Sequence, residues 1–137
     1  MKSLNLARQA MQVIVQNVSQ KTLGYTSYCA VVVKLSTGVR AVVIAEAGAS
    51  ASGINGTLID KLDNSLGVPV IPCAAPVLGL GTWHMNDAEQ QALRTIFNGE
   101  TFQGATIKAV VANRAICASC TFTLQQRGLQ VAGAEAW

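Results

Sequence analysis

The chain is short of charge. Asp, Glu, Lys and Arg together make up 12% of its 137 residues, about half the ~25% usual in a globular domain. Aromatic residues are also scarce, at 5%, so the core has to be built from Val, Ala, Leu and Ile. No run of about 18 apolar residues occurs, so no membrane-spanning helix is expected. The first residues lack the compact apolar stretch of a signal peptide, because polar residues interrupt them throughout. The net charge of +3 is too small for a strong nucleic-acid footprint. Acid is missing altogether before Glu46, while Lys2, Arg8, Lys21, Lys34 and Arg40 all precede it. A basic first third favours a polyanion or is simply a solvated face.

Half of the residues are apolar and the mean hydropathy is +0.35, which excludes intrinsic disorder. The length predicts one domain over 1–137, able to bury roughly two thirds of its unfolded surface. So little surface charge fits a domain that has a partner or a larger parent chain.

Residues 3–19 place Leu4, Ala7, Met11, Ile14, Val15 and Val18 at a three/four spacing, which predicts an amphipathic helix with Ser3 as its cap. Two Val-rich runs, Tyr28 to Leu35 and Val39 to Ala45, flank Ser36-Thr37-Gly38 and predict a β-hairpin. Both arms are nearly continuous apolar runs, so both faces of the sheet should be covered. Residues 46–81 read as a long connection containing a short helix from Thr57 to Leu66 and then Pro69, Pro72 and Pro76. Such a connection is either functional or an extended wrap. A helix is expected over 86–97, a strand over 106–112, a helix over 117–127 and a short strand over 129–132. Helices that cross between strands predict an α/β protein, a three-layer α/β/α sandwich with a mixed sheet.

The four cysteines, Cys29, Cys73, Cys117 and Cys120, do not read as a disulfide framework. Cys29 and Cys73 read as buried thiols. Cys117 and Cys120 form a C-x-x-C pair at the start of an expected helix, where the dipole and free N–H groups favour thiolates. No second pair stands at matching spacing, so a four-cysteine structural zinc site is not expected. Two thiolates plus one ligand from elsewhere leave an open position, the arrangement of catalytic zinc. The segment Trp83-His84-Met85-Asn86-Asp87-Ala88-Glu89-Gln90 offers that ligand and a base. With Asp87 on the metal, Glu89 can shuttle a proton.

Each part also has an ordinary structural explanation. Asn86 and Glu89 suit a capping box, Asp87 suits a helix N-terminus, His84 can be a loop residue and Trp83 a packing residue. The thiol pair alone also permits a redox role, although its late position and the intervening Ala118 and Ser119 weaken that. The joint pattern is more specific. Asp87-Ala88-Glu89-Gln90 with Ala92-Leu93, then a strand, then Cys117-Ala118-Ser119-Cys120, resembles the zinc-dependent cytidine deaminase superfamily, with its H-x-E and P-C-x-x-C motifs. The likeness is greatest to bacterial polymorphic-toxin deaminase domains. Two positions depart from the pattern: Asp87 stands where the family has histidine, and Ile116 where it has proline.

The resemblance implies a cytidine-deaminase-like fold and hydrolytic deamination of a nucleobase, with cytosine in DNA or RNA the first choice and a free nucleoside, adenine and other bases also open. It implies Zn2+ as cofactor, Cys117 and Cys120 as thiolate ligands, and Glu89 as the catalytic acid/base. Asp87 stands at the imidazole ligand's place, with His84 as the alternative ligand. Trp83, His84 and Asn113 are candidates for substrate binding. Trp83 and His84 match no family motif and suit the pocket mouth, where an aromatic ring can stack on a base. The resemblance further implies secretion within a larger parent, action in the cytoplasm of a recipient cell, and an immunity protein as partner. The rival expectation is a catalytically inactive binding module with a degenerate metal site.

Overall fold

In a computed structural model, the described residues are 2–25, 27–46, 54–73, 88, 92–93, 96, 102–116 and 118–137. The Val-rich runs form β1 (Tyr28–Lys34) and β2 (Arg40–Glu46), since β-branched side chains pack well on a pleated surface. They pair antiparallel from Tyr28↔Glu46 to Lys34↔Arg40. Their turn needs Gly38, whose φ of 89° is costly for any residue with a Cβ. Further strands are β3 (Val70–Pro72), β4 (Thr106–Ala112), β5 (Val131–Ala132) and β6 (Glu135–Ala136). The sheet order is β3-β2-β1-β4-β6-β5. Among the described residues only β2 and β3 pair in parallel; the other pairings are antiparallel, so the sheet is mixed.

Helices cover both faces. Leu4, Ala7, Ala10, Met11 and Ile14 of α1 (Lys2–Asn17), with Leu58 and Leu62 of α3 (Gly56–Leu66), share one buried cluster with Tyr28, Ala30 and Val32. On the other face, Cys29, Val31 and Val33 lie in a cluster with the helical residues Ala88, Ala92, Leu93 and Ile96, and with Cys120 and Leu124 of α4 (Ala118–Gln126). Alternate residues of β1 thus feed opposite cores, as the period of two requires. This is the mixed α/β class expected, with helices on either side of the sheet.

Several local expectations change. The first helix stands where its spacing put it, ending at Asn17, and a second, unexpected helix, α2, spans Gln20–Tyr25. Ser19 separates them, its Oγ accepting the Thr22 N–H at 3.1 Å, a helix-capping contact. Ser3 is no cap; it lies inside α1 and accepts a 3.0 Å hydrogen bond from Arg40 Nε. α3 falls where its apolar spacing put it, capped by Asn55, whose side chain accepts from the Leu58 N–H. Beyond it, the proline-rich stretch contains β3, an edge strand that tolerates Pro72. The last strand is a hairpin, because the chain turns back at Gly133 (φ 61°) and β6 reaches β4 through Val110↔Ala136. Arg8 of α1 holds that hairpin with two hydrogen bonds to Glu135, each 2.7 Å.

Leu62 is fully buried. Leu62→Ala is expected to cost about 2–5 kcal/mol, read from the urea midpoint at unchanged slope. The hydrogen bonds from Arg8 hold the Glu135 carboxyl below its ordinary pKa. Its contribution is therefore complete above the unfolded-state value and fades as pH falls through the folded-state value. Wild type should exceed Glu135→Gln in stability at neutral pH, and the gap should close on acidification through the carboxylate range.

Candidate functional site

The registers Tyr28↔Glu46, Ile44↔Pro72 and Cys29↔Ala112 put the start of β1 and the ends of β2, β3 and β4 at one end of the sheet. Ligand sites of open α/β sheets gather outside the carboxyl ends of strands. Among the described residues, the chemistry-bearing ones at this end include Cys29, Glu46, Cys73 and Asn113. Cys29 is fully buried, as expected, whereas Cys73 is only half-buried and its N–H donates to the Ile44 carbonyl at 3.0 Å. Glu46 is a candidate that the sequence motifs do not single out. It is 6% exposed, and buried carboxylates are rare. Its signal in the sequence is a charge closing the apolar run Val42 to Ala45.

The turn between β4 and α4 is held from three directions. Asn113 extends the β1–β4 pairing: its N–H donates to the Tyr28 carbonyl at 3.1 Å, and its Oδ1 accepts the Tyr28 N–H at 2.8 Å. An Arg114 guanidinium N–H donates to the Leu23 carbonyl at 3.0 Å, the Ile116 N–H to the Gly133 carbonyl at 2.9 Å. A turn fixed in this way delivers the chain to α4 in a set orientation. Asn113, a candidate substrate contact, uses its Oδ1 for the backbone of β1.

Cys120 stands in the first turn of α4 with no exposed surface. It shares a buried cluster with Ala88, the residue between Asp87 and Glu89. Ala88 and Cys120, distant in sequence, therefore pack on the same face of the sheet. Trp83, His84, Asp87, Glu89 and Cys117 themselves lie outside the described residues. Zn2+ takes thiolate, imidazole and carboxylate donors, and Cys120 fits that set. Among the described residues, no three His, Cys, Asp or Glu side chains group together.

Asn113→Ala removes the Oδ1 that accepts the N–H of buried Tyr28 and should cost about 1–3 kcal/mol. Asn113→Asp keeps the acceptor and should recover most of that stability, as thermal melts of the two variants can establish.

No protein-family model, curated protein or solved structure matches this chain, so its functional reading rests on its own residues.

Proposed function

We propose that the chain is a zinc-dependent hydrolytic deaminase of an amine-bearing nucleobase, with cytosine in DNA or RNA as its substrate. The supporting observation is the common anchoring of Ala88 and Cys120 in one buried cluster. That arrangement suits an H-x-E-like segment and a C-x-x-C segment that must meet around one centre.

In this reading Cys117, Cys120 and Asp87 hold Zn2+, with His84 as the alternative to Asp87. When bound, the ion would make a water nucleophilic near neutral pH. Glu89 accepts the water's proton and returns protons to the ring nitrogen and the departing amine. One carbon–oxygen bond forms at the amine-bearing carbon and the carbon–nitrogen bond breaks, releasing ammonia and leaving uracil from cytosine. Trp83 supplies a stacking surface for the base, and His84 stands near it in sequence. Asn113 acts as a positioning residue through its bonds to β1.

The resemblance also supports a toxin role: a C-terminal domain of a secreted parent, acting in a recipient's cytoplasm and neutralised by an immunity protein. Among the described residues no helix is long and apolar enough to cross a membrane. A second reading, a binding module with a degenerate metal site, is favoured by Asp87. Its carboxylate adds negative charge where the resembled family has a neutral imidazole.

Zinc analysis of the purified chain tests the proposal, together with deamination assays on cytosine-containing DNA and RNA. About one zinc per chain is expected, lost in Cys120→Ser. Glu89→Gln should keep zinc and fold while turnover falls by about 10²–10⁴-fold. A chain that takes up no zinc when supplied with it would sink the hydrolytic reading and leave the binding module.

A further inference from the structure

Parts of the chain far apart in sequence meet at the other end of the sheet. Lys2, Ser3 and Leu4 of α1, Arg40 at the start of β2, Lys108 of β4 and Trp137 line a cavity of about 390 Å³. Among the described residues no Asp or Glu lines it, and no ion pair engages Lys2, Arg40 or Lys108. Three of the ten basic residues thus face one concavity in a chain poor in charge. Like charges gathered in one place repel one another, and an anion relieves that repulsion.

Local structure maintains the arrangement. The β1–β4 register slips between Val32 and Val33, leaving Lys108 with no residue opposite it on β1. Ile107 faces one core and Ala109 the other, so the alternation skips at Lys108, as it does at a β-bulge, which re-aims a side chain. Arg40 is oriented by its bond to Ser3 Oγ. Trp137 is pinned by paired backbone bonds with Gln130, at 2.8 and 3.0 Å, and is half-buried against the α1-side core. The cavity therefore combines a cationic rim with an aromatic wall.

Cations beside an aromatic ring match a phosphate joined to a planar base. We infer that this cavity is a nucleotide-binding site, with the phosphate among Lys2, Arg40 and Lys108 and the base against Trp137. A free mononucleotide and a nucleic-acid strand offer the same chemistry. Lys108 and Asn113 lie about 17 Å apart along the strand direction, so this site is separate from the proposed catalytic end and does not rest on deaminase activity.

The test titrates the whole chain with CMP, a fluorescein-labelled ten-nucleotide single strand and inorganic phosphate, following tryptophan emission and anisotropy. Saturable nucleotide binding is expected, weakened at least tenfold by Lys2→Glu/Lys108→Glu. Both side chains are exposed, and circular dichroism checks that the fold is kept. Lys21→Glu/Lys61→Glu, with the same change in net charge elsewhere, should bind as wild type does. Trp137→Ala should weaken CMP and spare phosphate. Saturation by CMP as well as the strand identifies a free nucleotide; saturation by the strand alone identifies nucleic acid. In the strand arm the salt slope should shrink by about 0.7 for each phosphate that a removed lysine had neutralised. The inference is overturned if no probe saturates at millimolar concentration. It is equally overturned if the two double variants weaken binding alike, or if phosphate competes as well as CMP. Because these titrations involve no turnover, an inactive chain that binds nucleotide here would refute the deaminase reading and leave this one standing.

Discussion

β1 is hydrogen-bonded along both edges and buried on both faces. Its neighbours β2 and β4 pair with it and not with each other, so the register between them is set through this one strand. The backbone N–H and C=O groups of β1 can be buried only because both ladders satisfy them. Its side chains then divide by parity, with Cys29, Val31 and Val33 in one core and Tyr28, Ala30 and Val32 in the other. Slipping this strand by one residue would exchange the two cores. Small and β-branched residues suit such a position because each helical layer must approach the sheet closely.

The same strand sets the geometry at both ends. At its start, Tyr28 exchanges hydrogen bonds with Asn113 and thereby fixes the turn that leads into α4. Near its end, the register slip beside Val33 places Lys108 at the cationic cavity. One end of the sheet therefore gathers thiols, a buried carboxylate and an anchored turn, while the other gathers cations around an indole. The intervening core is apolar and closely packed, so the two ends are physically distinct surfaces.

The long elements were legible because each carries its own periodic signal. The three/four spacing from Leu4 to Val18 marks α1, and the capping hydroxyl of Ser19 beyond it starts a second short helix. Val-rich runs around a glycine turn mark the hairpin, and apolar spacing over Thr57 to Leu66 marks α3. By contrast, β3 is three residues long and contains proline. It is a strand only because β2 offers it an edge. The β5–β6 hairpin has two-residue arms, too short to show any period, and exists through its pairing with β4 and its tie to Arg8.

The order of residues was enough to propose Cys117 and Cys120 with Asp87 and Glu89 as candidates, because spacing within a motif is local. It was also enough to determine the α/β class, since alternating strand and helix periods restrict how a chain can bury its apolar faces. Tertiary structure alone decided that Ala88 and Cys120 share a core, that Asn113 serves the backbone of Tyr28, and that Glu46 is buried. It alone brought Lys2, Arg40, Lys108 and Trp137 to one cavity. Such groupings depend on strand register and on a single bulge, and these are settled by pairing between distant segments that no local pattern encodes.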